Sequence, residues 1–565
     1  MKELLARLGS RPGLTIEMIA ASFLANFLAL ASPIFVIQVL NRYVSHGVDA
    51  TLATLTVGVV IAIVLELGFR QIRMRIAANV NSSYDRLLIN SAFSALTSTT
   101  TVASEKIAPG IRQEMIAGTE KMQAAYSAAN ISTILDVPFA VMFIGVLYLL
   151  NPTISGVVAV FIVFAFLLSV FTQASLRQPS GELQMSSGRK SGLVAAAINS
   201  GDTVRAFNAG GFIRDLWQGE TTSFQKLHRM ISQRQGLLQS LGASIQALMG
   251  VGVIGVGAML VVQGKMDVGA MIGANILAAR ALGPILKLAT LGEAFAKAGQ
   301  ALNLLREYSK VPRERGEGTA LVDYKGAIEF KDFAFAHPGD KTPLFESMNL
   351  TLEPGTGLVF SGSNGTGKTT LARLLVGLLE PSRGRILVDG VDLQQIAPEW
   401  WRSQISYLPQ EPSFINATIA DNLKTVNPAL DHQAMNRLIE KVGLRSYIDH
   451  SANGLDTKIT NGGQTLSLGI RRRLALARAL ATNGKLLLID EPTEGLDSEG
   501  ATMIFSVIND LTQQGHTVLV FSHDPDIFGQ ATQYVDLNAK PTPNLVRRKP
   551  ENSVIKPYTT LETGR

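Results

Sequence analysis

Six long apolar runs lie within the first 291 residues, and they restrict the fold more than any other feature of the chain. A bilayer interior offers no water to the backbone, so a run of about 20 apolar residues crosses it as a helix. The third and fourth runs are shorter and meet at Asn151-Pro152, which is a turn signal. We therefore predict two spans with a tight outer turn there, and one long buried hairpin is the alternative. The six predicted spans cover residues 18–40, 51–67, 137–150, 153–171, 237–263 and 268–291.

The charges of the chain agree with a membrane protein. Charged residues make up only 17% of the chain, against about 25% in average soluble domains. The net charge is +6, but no basic stripe interleaves with aromatic residues, so we predict no nucleic acid partner. Lysine and arginine concentrate in residues 71–130 and 175–236, which the positive-inside rule places in the cytoplasm with both termini. The chain has no cysteine, which excludes disulfide bonds.

Beyond the last span the sequence changes character. A helical pattern ends near residue 308, a charged segment follows, and β-branched runs then alternate with helical patterns, which indicates an α/β domain with a largely parallel sheet. Breaks at residues 108–110 and 199–202 in the cytoplasmic stretches are places where a short transverse helix could contact such a domain. We predict an all-α transmembrane domain over residues 1–310, a linker over 311–326, an α/β domain over 327–545 and a basic tail over 546–565.

Residues 358–370 read LVFSGSNGTGKTT, an apolar strand that runs into a glycine-rich loop and then into a helical pattern. Gly362, Gly367, Lys368 and Thr369 fill the fixed positions of G-x-x-x-x-G-K-[ST]. In that pattern backbone N–H groups wrap phosphates, the lysine reaches the β- and γ-phosphates, and the hydroxyl holds Mg²⁺. The sequence therefore predicts a P-loop made of Gly362, Ser363, Asn364, Gly365, Thr366, Gly367, Lys368, Thr369 and Thr370.

A second apolar strand, residues 485–489, ends in two adjacent carboxylates, Asp490 and Glu491. In a P-loop enzyme the first carboxylate holds Mg²⁺ through its water shell, and the second orients and deprotonates the attacking water. A simple acidic turn at the end of a strand is the alternative. The P-loop upstream favours the catalytic interpretation, because metal and water both need acceptors opposite Lys368.

These motifs in this order resemble the ATP-binding cassette (ABC) transporters, and the resemblance covers nearly the whole chain. Gln410 is similar to the Q-loop glutamine of that family, Asp497 to its D-loop aspartate, and His523 to its switch histidine, which touches the γ-phosphate. The resemblance implies ATP hydrolysis coupled to transport, with ATP and Mg²⁺ as cofactors. It makes Glu491, His523 and Gln410 catalytic, and Thr369, Gln410 and Asp490 the metal-binding residues.

Two positions depart from the family pattern. The family completes each nucleotide site with an L-S-G-G-Q loop from a second subunit, but residues 466–470 read LSLGI, which keeps Ser467 and Gly469 and introduces Leu468. We expect an active ATPase, and we expect Leu468→Gly to raise its turnover. Where the family places an aromatic residue that stacks on adenine, this chain has His337. An imidazole can stack there with a smaller face, and a turn histidine without nucleotide contact is the alternative.

The membrane half is similar to one branch of the family. Residues 31–42, ASPIFVIQVLNR, and residues 269–284, GAMIGANILAARALGP, resemble the first and last spans of type I secretion exporters of proteases and RTX proteins. The resemblance implies a half-transporter without a peptidase domain in the bacterial inner membrane. Its partners would be an unfolded polypeptide with an uncleaved C-terminal signal, a periplasmic membrane-fusion adaptor and an outer-membrane channel. A homodimer is the expected assembly, with a heterodimer as the alternative. A lipid or drug exporter and a low-activity regulatory subunit are the alternative functions.

Overall fold

The computed structural model describes residues 2–547, apart from residues 45, 46, 48, 322, 526, 528–530 and 532. The chain divides into two compact units. The first comprises residues 1–99 and 103–312, and the second comprises residues 100–102 and 313–565. The division after residue 312 falls inside the predicted linker. Most of the predicted basic tail, residues 548–565, lies outside the described residues.

The first unit confirms the six predicted spans. In the described part of the chain, six helices are long and apolar enough to cross a membrane: Pro12–Tyr43, Asp49–Thr97, Ala128–Leu150, Pro152–Asn199, Gly210–Val262 and Val268–Ser309. Asn151 is extended, and its side chain accepts hydrogen bonds from the backbone N–H groups of Thr153 at 2.9 Å and Ile154 at 3.4 Å. This N-cap starts a new helix, so the Asn-Pro pair joins two spans by a tight turn.

Shorter helices lie between and before these spans in the described sequence: Lys2–Gly9, Thr101–Glu105, Pro109–Ala125 and Gly201–Ala206. Two of them lie beside the breaks that the sequence predicts. Thr101–Glu105 precedes the break at residues 108–110, and Gly201–Ala206 begins within the break at residues 199–202. At each break a short helix of one to two turns is thus separated from the longer helices that neighbour it in the chain.

The last span packs tightly against the end of the first. A Cβ atom at Gly273 would lie 2.4 Å from Ile37 Cγ1, and one at Gly269 would lie 2.3 Å from Asn41 Oδ1. Both distances are far too short for a side chain, so only glycine permits this approach of two backbones, as is common where membrane helices pack. The Gly269 N–H also donates to Asn41 Oδ1 at 3.2 Å. Gly269 and Gly273 of the segment 269–284 thus have a packing role between the first and last spans.

A buried polar cluster joins the first three spans. Arg73 is 5% exposed and pairs with Asp136, which also accepts a hydrogen bond from the side-chain amide of Asn26 at 2.8 Å. Arg73 lies in the second span, Asp136 in the third and Asn26 in the first. Because a charge in an apolar environment is costly unless it is paired, these three side chains hold the three helices in one register.

The second unit contains two sheets. Its strands are β1 (Ile328–Phe335), β2 (Phe345–Leu352), β3 (Gly357–Ser361), β4 (Arg383–Val388), β5 (Val391–Asp392), β6 (Ile405–Leu408), β7 (Leu486–Asp490), β8 (Thr517–Ser522), β9 (Gln533–Asp536) and β10 (Asn544–Arg547). The order β10-β9-β3-β8-β7-β6 forms a sheet that is parallel except for β10, and β2-β1-β4-β5 forms an antiparallel sheet. The largely parallel sheet confirms the α/β prediction, whereas the sequence did not indicate the antiparallel one. Strand β10 extends past the predicted domain end at residue 545.

Both faces of the parallel sheet are buried. In β7, Leu486 and Leu488 enter one hydrophobic core, and Leu487 and Ile489 enter the other. This alternation explains why the strand is apolar at every position, as parallel strands with two covered faces usually are. The helices of this unit are Lys368–Leu375, Pro398–Ser403, Ile419–Lys424, His432–Lys441, Arg445–His450, Leu468–Ala481 and Ser498–Gln513.

Candidate nucleotide site

The predicted P-loop connects β3 to the helix Lys368–Leu375, as the sequence pattern requires. Lys368 is 6% exposed, and its ammonium group donates to the carbonyl oxygens of Gly362 at 2.7 Å and Ser363 at 3.1 Å. The lysine therefore bridges the loop from inside. The N-terminus of the following helix points its free N–H groups at the same loop, which makes the loop a site for an anion such as phosphate.

Two residues that the sequence did not single out hold the outer side of this loop. The side-chain oxygen of Asn538 accepts hydrogen bonds from the Ser363 N–H at 3.0 Å and the Ser363 hydroxyl at 2.6 Å. Lys540 donates to the carbonyl oxygens of Thr366 and Leu344, each at 2.7 Å. These residues lie far from the P-loop along the chain, and no local pattern could have identified them. Their contacts fix the loop before any ligand arrives.

Asp490 and Glu491 lie at the end of β7, across from the P-loop lysine. Asp490 is 1% and Glu491 is 2% exposed, and Glu491 Oε1 lies 3.1 Å from Lys368 Nζ. Glu491 has φ of +49°, a left-handed conformation that is strained for a residue with a side chain and that often marks a functional site. The backbone thus turns sharply enough to direct both carboxylates toward the P-loop.

The electrostatic environment of Asp490 is unusual. Burial, with a further contribution from the neighbouring Glu491 carboxylate, raises the pKa of Asp490 to about 6. The nearby Thr369 hydroxyl opposes this shift, yet neither side-chain oxygen of Asp490 makes a hydrogen bond of good geometry within the described residues. A buried carboxylate with so little compensation costs free energy, and a bound cation relieves that cost. The two Asp490 oxygens are therefore suited to bind a hydrated metal ion.

Gln410 and His523 lie at the same end of the parallel sheet as the two carboxylates. Gln410 follows β6, and its side-chain oxygen accepts from the Thr369 hydroxyl at 3.2 Å. His523 follows β8, and its Nδ1 lies 2.9 Å from Glu491 Oε2. Because β3, β8, β7 and β6 are parallel neighbours in the sheet, the residues after their C-terminal ends meet at one edge. The structure thus brings Lys368, Thr369, Gln410, Asp490, Glu491 and His523 together.

The signature segment lies at the start of another helix, Leu468–Ala481, which we call the signature helix. Ser467 is its N-cap, and its hydroxyl accepts from the Ile470 N–H at 3.4 Å. In the part of the chain that the structure describes, no hydrogen bond or ion pair joins Ser467 or Gly469 to the P-loop. Asp497 is likewise a helix N-cap, since its side chain accepts from the Gly500 N–H at 2.8 Å. These three predicted nucleotide-binding residues are therefore outside the cluster around Lys368.

Arg472 connects the signature helix to the cluster. It is 4% exposed and donates to the carbonyl oxygen of Glu491 at 2.6 Å. It also pairs with Glu494 at 3.1 Å, and Glu494 accepts from the side-chain amide of Gln410 at 3.1 Å. Neither Arg472 nor Glu494 is predicted from the sequence. Arginine and glutamate are ordinary on exposed helices and turns, so only the burial of Arg472 and the contacts of both residues distinguish them here.

His337 lies in the turn after β1 and is exposed. Its ring packs edge-on against Phe335, with 5.0 Å between the ring centroids and an angle of 83° between the planes. The imidazole is exposed to solvent and is therefore accessible to a flat ligand. No group of three or more His, Cys, Asp or Glu side chains within the described residues could hold a metal ion by itself. A metal at Asp490 would need oxygen ligands from elsewhere, such as a phosphate.

Comparisons with known proteins agree with this geometry. The family model for the ABC transporter transmembrane region matches residues 15–285, and the model for the ABC transporter matches residues 345–494. The second range includes the P-loop, Gln410, the signature segment and both carboxylates. It ends before His523 and begins after His337, so it says nothing of these two residues.

Relatives match over most of the chain. The alpha-hemolysin translocation ATP-binding protein HlyB of Escherichia coli O157:H7 is 26% identical over 513 residues, which is 90% of this chain and 72% of that protein. The leukotoxin translocation ATP-binding protein LktB of Mannheimia haemolytica is 26% identical with the same shares. In fold, the chain is similar to a bacterial Atm1-family ABC exporter with ATP bound, at a TM-score of 0.81, 20% identity and 93% coverage of both chains. The chain therefore belongs to the ABC transporters, as a multi-pass membrane protein with an ATPase domain on the cytoplasmic side.

Proposed function

We propose that this chain exports an unfolded polypeptide across the bacterial inner membrane, as a homodimer driven by ATP hydrolysis. The observation that carries the ATPase part is the cluster of Lys368, Asp490, Glu491 and His523 at one edge of the parallel sheet. Support for polypeptide export comes from relatives named as toxin translocation proteins, which align with 90% of the chain.

In this proposal the P-loop binds the phosphates of ATP. The backbone N–H groups of residues 362–370 surround the phosphate oxygens. Lys368 leaves the loop carbonyl oxygens and Glu491 and binds the β- and γ-phosphates instead. Asn538 and Lys540 keep the loop open while this exchange occurs. His337 stacks on the adenine through its exposed imidazole.

The residues around Asp490 fit a magnesium ion. Asp490 supplies two buried oxygens, and the Thr369 hydroxyl and the Gln410 amide oxygen lie within 3.2 Å of each other nearby. Oxygen ligands of this kind are the ones that Mg²⁺ prefers. When bound, Mg²⁺ supplies positive charge that neutralises the phosphate oxygens. Asp490, Thr369 and Gln410 are the residues that would hold it.

Hydrolysis then depends on Glu491 and its neighbours. Once the phosphates attract Lys368, Glu491 Oε1 is free to accept a proton from the attacking water. The nearby Nδ1 of His523 fixes the other oxygen, Oε2, and orients the carboxylate. Its half-exposed imidazole then reaches the γ-phosphate of the bound nucleotide.

The position of the signature segment supports the homodimer of this proposal. Ser467 and Gly469 stand at the N-terminus of the signature helix, outside the cluster around Lys368 of the same chain. In the proposed dimer these residues close the nucleotide site of the partner, and Asp497 lies at the contact between the subunits. The site is incomplete without the second copy. A periplasmic membrane-fusion adaptor and an outer-membrane channel are the further partners of the proposed export route.

The proposed substrate class can be tested with the full chain in lipid nanodiscs. We expect unfolded C-terminal segments of secreted proteins to raise its ATP hydrolysis, because only a transported substrate interacts differently with the open and closed states. The same segments should leave Glu491→Gln inactive. Stimulation by phospholipids or hydrophobic dyes in place of the polypeptides would instead identify a lipid or drug exporter. ATP binding without hydrolysis under all conditions would identify a regulatory subunit.

His337 provides a test of the adenine site. We expect His337→Tyr to lower the KM for ATP by about threefold, because a phenol ring presents a larger stacking face than an imidazole. We expect His337→Ala to raise the KM by a similar factor, with little change in kcat. The exposed Asp340→Asn in the same turn is the matched control. An unchanged KM in both His337 variants would show that this histidine only shapes the turn.

A further inference from the structure

The side chain of Leu468 packs on the turn that follows the two catalytic carboxylates. A Cβ atom at Gly495 would lie 2.3 Å from Leu468 Cδ2 and 3.2 Å from Leu468 Cγ. Gly495 also has φ of +70°, in the left-handed region that glycine adopts without strain. In this conformation the leucine side chain occupies the space that a Cβ atom at residue 495 would need.

The same face of the signature helix holds the rest of this turn. Arg472, four residues after Leu468 and hence one turn along the helix, pairs with Glu494 and donates to the Glu491 carbonyl oxygen. Arg473 reaches Asp497 at 3.3 Å. The signature helix thus contacts residues 491–497 through Arg472, Arg473 and Leu468. The two arginines make polar contacts, and Leu468 makes the apolar one.

The carboxylates of the two ion pairs at this turn are partly exposed to solvent. The Glu494 side chain is 46% exposed and that of Asp497 is 68% exposed. Exposed ion pairs contribute little, because water and salt screen them. Leu468 is itself 39% exposed, and it contacts the one residue of the turn, Gly495, that has no side chain to restrain it.

We propose that Leu468 is a positioning residue for ATP hydrolysis: it holds the turn at Gly495 and thereby the backbone that carries Glu491 and Asp497. In this interpretation the leucine in the signature segment is one half of a steric pair rather than a lost glycine. The expectation from sequence alone, that Leu468→Gly raises turnover, is reversed. The inference goes beyond the proposed function, because it applies whatever the chain transports.

The test is the steady-state ATPase activity of the full chain in nanodiscs. We expect Leu468→Ala to lower kcat by about fivefold with little change in the KM for ATP, since the loss affects the geometry of hydrolysis rather than nucleotide binding. Leu468→Met, which keeps most of the volume on a flexible side chain, should restore most of the activity. A kcat of Leu468→Ala at or above the parental value would overturn the proposal.

A double-mutant cycle isolates the contact itself. Gly495→Ala should lower kcat by about tenfold or more, and adding Leu468→Ala to it should raise kcat again, because the added methyl group then meets no leucine. Gly390→Ala is the matched control for backbone strain, since Gly390 has φ of +84° and nothing within 4 Å of its Cβ position. Ile415→Ala is the control for truncation of an exposed aliphatic side chain. Neither control should change kcat.

The outcomes separate this inference from the proposed function. The proposed ATPase function is tested by whether the parental chain hydrolyses ATP and loses this activity in Glu491→Gln. The steric pair is tested by the kcat values of the Leu468 and Gly495 variants relative to one another. Losses that simply multiply in the double variant would overturn the pair. If Gly495→Ala abolishes turnover, the thermal unfolding midpoint gives the second measurement: adding Leu468→Ala must raise the midpoint of Gly495→Ala, and a further decrease would count against the proposal.

Discussion

Glu491→Gln is expected to lower the rate of ATP hydrolysis by about 10²-fold or more, while ATP still binds. The amide has the shape of the carboxylate but cannot accept the proton of the attacking water. The structure adds a second expectation, because Glu491 Oε1 lies 3.1 Å from Lys368 Nζ. The neutral amide no longer competes with the phosphates for the ammonium group, so the affinity for ATP should rise rather than fall.

Steady-state hydrolysis and equilibrium binding of a fluorescent ATP analogue measure these two effects. The matched control is Glu499→Gln, an exposed glutamate in the first turn of the helix Ser498–Gln513. It lies in the same region but has no contact with Lys368. Parental turnover in Glu491→Gln would refute the assignment of this residue as the base. A weaker affinity for ATP would refute the role of the Lys368–Glu491 pair as a competitor of the nucleotide.

Lys368→Ala is expected to weaken ATP binding by about 10²-fold, which corresponds to about 3 kcal/mol. The ammonium group is buried and already donates to two P-loop carbonyl oxygens, so its removal deprives the phosphates of a charged donor in a site that excludes water. It also leaves the Glu491 carboxylate buried without its cation. Repulsion between that carboxylate and the γ-phosphate adds to the loss of affinity.

The measurement is again the equilibrium binding of an ATP analogue to the full chain. Lys424→Ala, which removes an exposed lysine from the last turn of the helix Ile419–Lys424, is the control for the loss of one positive charge. The double variant Lys368→Ala and Glu491→Gln should bind ATP better than Lys368→Ala alone. Equal affinities of the two would mean that repulsion from Glu491 contributes nothing.

Local patterns were sufficient to predict the main elements of the nucleotide domain. Strand β3 leads into the P-loop as the sequence predicts, and β7 is shifted by one residue from the predicted range 485–489. These strands are apolar at nearly every position and are bounded by turn residues, so pattern and burial agree. The P-loop was predictable because its glycines, lysine and threonine stand at fixed spacings. The six spans were predictable because the bilayer requires long apolar helices.

Contacts between distant parts of the chain were not predictable. The sequence does not show that Asn538 and Lys540 brace the P-loop, because each contact depends on the pairing of β9 with β3. The antiparallel sheet depends in the same way on registers between separate strands. Leu468 illustrates the physical reason most clearly. Alone it departs from a family pattern, and only the structure shows that Gly495 provides the space for it.

The buried cluster of Arg73, Asp136 and Asn26 has a consequence for the synthesis of this protein. Arg73 belongs to the second span, but its charged partner in the described structure belongs to the third. While only the first two spans have left the ribosome, Asp136 does not yet exist, so Arg73 has no such carboxylate to pair with. The cluster therefore forms only after residue 136 has been synthesised, and its contribution to the register of the first two helices begins with the third.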